Sequence, residues 1–294
     1  MFKTRIVRAA LGGLVLSAML AGPVSAAKPT RPPAEPISER PLTTEEVAAG
    51  ERKIAASDAY LASVADDGTD LVSLSCVTPT SHATQAETQA ETEGCYVPQA
   101  YLSVEARDQT KGIYCGPATG QVIANYSWAV KSGTNKFTQA KIAGWMQTDV
   151  NGGTSAPELE DGLELGTAGS PRRPAEWDWV VFDLRDRDND GYSADELQGY
   201  VRSNVSSSRM PLAIPVKPHD PNSRYYLISW PKPVVSIGHW IAAYGWYGTY
   251  TGTTFARIYY TDSSRDEGGS TGKFWDPTQD IAALVAEHTR RIVW

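Results

Sequence analysis

The composition of the chain changes near residue 98, and this change constrains the fold more than any other feature. Residues 27–42 are rich in proline and polar side chains, and residues 79–94 contain the short repeat TQAETQAET. Segments of this kind bury too little apolar surface to fold alone. From Tyr96 onward, aromatic and apolar side chains are frequent throughout. We therefore expect residues 99–294 to form one domain, preceded by an accessory region over residues 27–98.

One helix is predicted inside the accessory region, from about Thr44 to Val64. Thr43 and Glu46 form a capping-box pattern, and apolar residues follow at roughly helical spacing. The helix lies between a Pro-rich linker and the low-complexity loop. The accessory region is a possible pro-region, and a stalk or a packed extension are the alternatives that the sequence leaves open.

The first residues have the pattern of a Sec-type signal peptide. Three basic residues precede an apolar run over residues 9–20, and two small residues occupy the positions that a signal peptidase reads. These residues are Lys3, Arg5, Arg8, Val24 and Ala26. We expect residues 1–26 to be removed and the product to be secreted to the extracellular space, with an uncleaved anchor as the alternative.

Charge and composition exclude several classes of protein. The 294 residues include 27 basic and 34 acidic side chains, for a net charge of −7, which argues against a nucleic-acid partner. Beyond the N-terminus, no apolar run reaches the ~20 residues of a membrane helix, so stable membrane insertion is not expected. Three cysteines are too few for a disulfide-scaffold fold. Composition does not bear on the oligomeric state.

The positions of the three cysteines indicate that one of them, Cys115, is a reactive thiol. Cys76 and Cys95 flank the low-complexity loop, and a disulfide between them would contribute about 3 kcal/mol by loop entropy. Cys115 would then be the unpaired, reactive thiol of an exported protein. The alternatives are that Cys115 pairs with another cysteine or is buried and inert.

The residues around Cys115 favour a nucleophile. Gly116 and Pro117 follow it directly, and an apolar periodicity continues behind them. Because proline favours the first turn of a helix, Cys115 should lie at a helix N-terminus, where the helix dipole favours a thiolate. Gln109, six residues upstream, could pair its amide with the backbone N–H of Cys115 as an oxyanion hole.

A nucleophilic cysteine needs a base, and His239 is the best placed of the four histidines. It opens the apolar run HWIAAYGWYG, which predicts a buried strand. The next predicted strand ends at Asp262, and an antiparallel pair would place this carboxylate behind His239. Asp266 is the weaker candidate. The alternative is that a single strand histidine is structural.

Three segments in this order, QTKGIYCGPAT, GHWIAAYGW and IYYTD, resemble the bacteriocin-processing (double-glycine-leader) peptidase family, which is papain-like. The likeness extends diffusely from about residue 100 to 263. It implies an α+β fold in which a nucleophile-bearing helix packs on an antiparallel sheet carrying the histidine and aspartate. The resemblance also implies Cys115 as nucleophile, His239 as base, Asp262 as orienting acid and Gln109 in the oxyanion hole, with no cofactor for catalysis.

The chain departs from this family in one respect. The processing members are domains of membrane exporters, whereas this chain has a predicted signal peptide, so specificity for double-glycine leaders is not transferred. The tryptophans of the domain are expected to pack in the core rather than bind substrate. They are Trp240, Trp246, Trp275 and Trp294.

The expected function is that of a secreted cysteine peptidase, which hydrolyses a peptide or protein substrate through a thioester acyl-enzyme. Two alternatives remain open. One is a cell-wall amide hydrolase or acyl transferase of the same chemistry, and the other is a non-catalytic binding module on a papain-like fold.

A second motif, within residues 183–197, resembles a calcium loop. Asp186, Asp188 and Asp190 alternate before Gly191, as at the start of an EF-hand. Glu196 stands one position earlier than the bidentate acid of a regular loop. These four acids predict a structural Ca2+ site, and an acidic surface turn is the alternative.

Overall fold

The computed structural model describes residues 39–66, 99–187, 193–234, 237–248, 256–264 and 268–294. The predicted signal peptide, the Pro-rich linker up to residue 38 and the low-complexity loop lie outside these residues. So do Cys76, Cys95, Asp188, Asp190 and Asp266. The described residues all belong to one compact unit, which spans residues 33–294.

Six α-helices are present in the described residues, and a π-helical turn over Asn204–Ser208 follows the fifth. They are α1 (Thr44–Asp66), α2 (Cys115–Ser127), α3 (Gln139–Trp145), α4 (Ala156–Thr167), α5 (Ala194–Ser203) and α6 (Thr278–Ala286). The described strands are β1 (Gln99–Tyr101), β2 (Val181–Asp183), β3 (Leu212–Val216), β4 (His239–Tyr247), β5 (Arg257–Asp262), β6 (Gly272–Pro277) and β7 (Arg291–Val293).

The described strands form one antiparallel sheet in the order β2-β7-β3-β4-β5-β6. β4 is its central strand: the first half pairs with β3, the second half pairs with β1, and β5 runs along the other edge. The mixed architecture of helices and antiparallel sheet confirms the predicted α+β class.

Every residue of β4 from His239 to Trp246 is buried. Because successive side chains of a strand point to opposite faces, helices must cover both faces of the sheet at this strand. Helices α2 and α5 both pack against β4. The apolar run that predicted a buried strand therefore supplies the middle of the core.

Helix α1 packs against the rest of the unit through α5 and β2. It begins with the predicted capping box, in which the N–H of Thr43 donates to Glu46 and the N–H of Glu46 donates to the Thr43 hydroxyl. It ends at Asp66 rather than Val64. Ile54 joins the hydrophobic core. These contacts belong to a packed segment, and the removal of residues 27–98 stays a prediction.

The tryptophans pack largely as expected. Trp240, Trp246 and Trp294 are buried, whereas Trp275 on β6 is only partly covered and stacks under the Arg257 guanidinium. Ser193 occupies the N-cap position of α5, and its side chain makes no capping hydrogen bond there.

No helix in the described part of the chain has the length and apolar character needed to span a membrane.

Candidate active site

Cys115 is the first residue of α2, as the Gly-Pro pair that follows it predicts. The backbone is closely packed here, because a Cβ on Gly116 would lie 2.6 Å from the Thr154 hydroxyl oxygen. Glycine thus allows the start of α2 to approach the segment that leads into α4. Cys115 is a free thiol and is partly exposed.

His239 and Asp262 are brought together by the pairing of β4 and β5. His239 begins β4 and Asp262 ends β5, and in an antiparallel pair these two ends meet. His239 Nε2 lies 2.8 Å from Asp262 Oδ1. Both side chains are buried, with 2% and 1% of their surface exposed. The Asp262 carboxylate thus forms a hydrogen bond with one ring nitrogen of His239, at a position shielded from solvent.

Cys115 lies close enough to His239 for its thiol to act on the electrostatics of the imidazole. Because Asp262 occupies Nε2, Nδ1 is the nitrogen left for the sulfur. Burial alone would lower the pKa of His239, but the charge and hydrogen bond of Asp262, with the Cys115 contact, outweigh it and raise this pKa to about 10. The imidazole is therefore strongly basic.

Asp262 is held by three further donors. Ser229 Oγ and Trp230 Nε1 donate to Oδ2 at 2.7 and 2.8 Å, and the N–H of Ser264 donates to Oδ1 at 2.9 Å. Burial acts to raise the pKa of Asp262, yet the charge of His239 and these hydrogen bonds lower it. The carboxylate is thus fixed in position and kept ionised.

Ser229 and Trp230 are the residues of this site that sequence reasoning missed. They lie in the irregular segment between β3 and β4, and no spacing relates them to Asp262. The indole of Trp230 also packs edge-on against His239, with ring centroids 5.1 Å apart. Only the folded path of the segment brings them behind the carboxylate.

Gln109 is tied to the same end of β5. Its N–H donates to the backbone oxygen of Ser263, and Ser263 Oγ donates to Gln109 Oε1 at 3.4 Å. Its amide nitrogen donates to the backbone oxygen of Gly112 at 3.1 Å. A primary amide has two N–H bonds, so this contact uses one of them. These hydrogen bonds fix Gln109 within the loop that leads into Cys115.

The buried side chain of Gln139 supports this loop. Its amide nitrogen donates to the backbone oxygen of Asp108, and its oxygen accepts from the N–H of Thr110. The two residues that flank Gln109 are thus held by one side chain of α3. The sequence carried no signal for this support.

The other two described histidines have different surroundings. His219 Nδ1 lies 2.7 Å from the backbone oxygen of Trp230, and its ring stacks on Tyr226. His288 follows α6, and burial lowers its pKa to about 4. A Cβ on Gly238 would lie 2.2 Å from His288 Nε2, so His288 packs behind the backbone that precedes His239.

The predicted calcium loop is described only at its ends. Asp186 and Glu196 are described, whereas Asp188 and Asp190 are not, and the described residues contain no group of three or more acids, histidines or cysteines able to hold a metal. Glu196 Oε1 accepts the N–H of Arg187. Within the described residues, Glu196 Oε2 and Asp195 Oδ1 are buried without a hydrogen-bond partner. Carboxylate oxygens are the ligands that Ca2+ prefers, and the site stays a prediction.

No family model matches this chain, and no curated protein matches it either. Among solved structures, the chain is similar to one titled "Recombinant stem bromelain precursor". The identity is 11% and the TM-score is 0.41, over 67% of this chain and 70% of that one. We therefore base the proposed function on the geometry of the site.

Proposed function

We propose that this protein is a cysteine peptidase that uses Cys115, His239, Asp262 and Gln109. The observation that carries the proposal is the buried pair of His239 imidazole and Asp262 carboxylate, with the partly exposed Cys115 near enough to act on the imidazole. Acyl transfer needs a nucleophile, a base in contact with it and a third group that orients the base. A histidine with a purely structural role would require neither a nucleophile nor an orienting carboxylate beside it.

The first half of the reaction forms a thioester. The raised pKa of His239 keeps the proton of the Cys115 thiol on the imidazole, and the thiolate attacks the carbonyl carbon of the substrate, forming a C–S bond. The negative oxygen is stabilised by the Gln109 amide and the N–H of Cys115. Collapse breaks the C–N bond, and the His239 imidazolium gives its proton to the leaving amine.

The second half returns the enzyme to its starting state. Water gives a proton to His239 and attacks the thioester carbonyl. The C–S bond breaks, the acid product leaves, and the sulfur departs as a thiolate beside the His239 imidazolium. Asp262 stays ionised throughout and holds the ring through Nε2, so that Nδ1 faces the sulfur in both halves.

The peptidase is proposed to act outside the cell, after removal of residues 1–26. The pattern of the N-terminal residues supports export, and the acidic chain favours peptide or protein substrates over nucleic acid. Mass spectrometry of the exported protein tests this part of the proposal, with Ala27 expected as the first residue.

Active-site titration tests the proposed chemistry. Iodoacetamide is expected to label Cys115 and abolish hydrolysis of an unfolded protein substrate. Cys115→Ser and His239→Gln should each lower kcat/KM by at least about a thousandfold, because the residues act as a unit. His82→Gln is the matched control, since His82 lies in the repeat-containing segment, and it should keep full activity.

Four results would contradict the proposal. Finding Cys115 in a disulfide, or full activity in Cys115→Ser, excludes it as the nucleophile. An alkylatable Cys115 without turnover of any peptide library favours a binding module instead. Turnover of cell-wall peptides but not of unfolded protein would assign an amide hydrolase of the same chemistry.

A further inference from the structure

A row of buried polar side chains continues from Asp262 away from His239. Ser229 Oγ lies 2.7 Å from Asp262 Oδ2 and 3.1 Å from the Tyr260 hydroxyl, which in turn lies 2.6 Å from Asp276 Oδ2. Exposed fractions are 1% for Ser229, 0% for Tyr260 and 6% for Asp276. The proposed mechanism uses neither Tyr260 nor Asp276. A second buried carboxyl is therefore connected to the site through two hydroxyls.

The register of the sheet explains why these groups meet. Tyr260 and Asp262 are two residues apart on β5 and so point to the same face, and β5 pairs with β6, which carries Asp276. The segment before β4 adds Ser229 and also donates the N–H of Ile228 to Asp276 Oδ2 at 3.1 Å. Three separate parts of the chain thus complete the row.

The number of protons in the row determines how many of its contacts are hydrogen bonds. The row has three oxygen–oxygen contacts but only two hydroxyl protons, those of Ser229 and Tyr260. If Asp276 is ionised, Tyr260 donates to Asp276 and Ser229 donates to Asp262, so the contact between the two hydroxyls has no proton. If Asp276 carries a proton, it donates to Tyr260, Tyr260 donates to Ser229, and Ser229 donates to Asp262. Every contact is then a hydrogen bond.

We propose that Asp276, Tyr260 and Ser229 form a positioning relay, which holds Asp262 and through it His239 most firmly when Asp276 carries a proton. This inference rests on the proposed function, because His239 matters to a reaction only if it serves Cys115. The three residues do not touch the substrate or the reacting atoms. Their role is to orient Asp262, and Asp276 makes that role depend on pH.

The surroundings of Asp276 keep its proton up to neutral pH. Burial is the main cause, and the nearby carboxylates of Asp280 on α6 and Asp262 on β5 act in the same direction, whereas the hydrogen bonds from Tyr260 and Ile228 oppose them. Together these groups raise the pKa of Asp276 to about 7. The relay is therefore complete below neutral pH and loses one hydrogen bond above it.

Nuclear magnetic resonance of the full chain with 15N-labelled histidine tests the relay. The His239 N–H that faces Asp262 is followed from about pH 5 to pH 9, a range in which His239 itself stays protonated. Its resonance should shift in one step centred near the pKa of Asp276. Asp276→Asn should remove this step, because an amide does not titrate in this range. No step in the wild-type protein would overturn the proposal.

Two further variants separate the relay from an effect of charge through space. Asp280→Asn is the matched control, since it removes a carboxylate that raises the pKa of Asp276; the step should remain and move to lower pH. Ser229→Ala removes the hydroxyl that joins Tyr260 to Asp262, and the step should shrink to the part that the charge of Asp276 transmits through space. A step of undiminished size in Ser229→Ala would show that charge alone accounts for it, and the relay would be wrong.

The readout needs no substrate, so the two proposals can fail separately. A protein that shows the step but hydrolyses no peptide would contradict the peptidase proposal alone. A protein that hydrolyses peptides through Cys115 but shows no step would contradict the relay alone. If Asp276→Asn does not fold, Ser229→Ala gives the decisive measurement.

Discussion

At the scale of single residues, the properties of His239 depend on one carboxylate. Burial disfavours a charged imidazole, so a histidine in this position without a partner would be a weaker base than in water. Asp262 reverses this effect because it lies 2.8 Å from Nε2 and is itself fixed by Ser229, Trp230 and Ser264. The basicity of the site thus comes from the pair and its donors.

Asp262→Asn should therefore lower the pKa of His239. In the wild-type protein, the imidazolium that protonates the leaving amine persists until pH rises through about 10, so kcat/KM should fall only above that range. Without the negative charge, the pKa moves down toward the ordinary value of 6.5, and the alkaline fall in kcat/KM should move down with it. The pH dependence of peptide hydrolysis measures this shift.

The same substitution has a defined effect on stability. A raised histidine pKa adds stability that is fully present below the unfolded value of 6.5 and is lost as pH rises through about 10. Asp262→Asn should remove this dependence from urea unfolding curves. Glu176→Gln, at an exposed position before β2, is the control and should leave both profiles unchanged. An unaltered alkaline limb in Asp262→Asn would contradict the assignment of His239.

Sequence reasoning succeeded at this scale where a residue carries a local signal. The Gly-Pro pair after Cys115 predicted that this residue begins a helix, and the strand pattern around His239 predicted a buried strand. Ser229 and Trp230 carry no such signal. Their contacts with Asp262 join residues more than thirty positions apart in an irregular segment, so only the folded chain reveals them.

At the scale of elements, the start of α5 combines two buried carboxylates. Burial, reinforced by the adjacent Asp195, raises the pKa of Glu196 to about 7, although the N–H of Arg187 opposes this shift. A carboxyl that is costly to ionise would be stabilised by a bound cation. The sequence motif that ends at Glu196 therefore retains its interpretation as a calcium loop, which stays a prediction.

Calcium is accordingly expected to raise the melting temperature of the protein. At about 100 times its Kd, a bound ion adds about 2.7 kcal/mol to the free energy of unfolding. Glu196→Gln should weaken this response. Asp178→Asn, at an exposed carboxylate outside the loop, should keep it. Differential scanning calorimetry with calcium and with a chelator measures the change in melting temperature. Equal melting temperatures in the two conditions would exclude the site.

At the scale of the whole molecule, α1 is joined to a part of the chain that is distant in sequence. Lys53 Nζ donates to the backbone oxygens of Asp178 at 2.7 Å and Trp294 at 2.6 Å, and it lies 3.5 Å from the centre of the Trp177 ring. Burial lowers the pKa of Lys53 well below its ordinary value. The accessory region thus contributes to the stability of the described unit.

Lys53→Met should destabilise the protein by about 1–3 kcal/mol, because the apolar stem is kept while the backbone oxygens of Asp178 and Trp294 lose a charged donor. Chemical denaturation in urea measures the change. Arg52→Met is the matched control, since Arg52 is the exposed neighbour on the same helix, and it should change the free energy of unfolding by little. Equal stabilities of the two variants would show that Lys53 does not hold α1 in place.

The sequence by itself determined the features that depend on neighbouring residues. These are the start of α1 at its capping box, the start of α2 at Cys115, the buried strand of His239 and the general α+β class. Propensity, capping and strand periodicity act over a few residues, so inspection of the linear chain can detect them.

The tertiary structure decided which of these features meet. Antiparallel pairing placed Asp262 beside His239, and the segment before β4 added two donors to that carboxylate. The tertiary structure also placed Asp276 in contact with the Tyr260 hydroxyl and packed α1 against α5 and β2. Such contacts join residues that are far apart along the chain, and their energies depend on burial. The burial of a polar side chain depends on which distant elements cover it, so no local pattern encodes it.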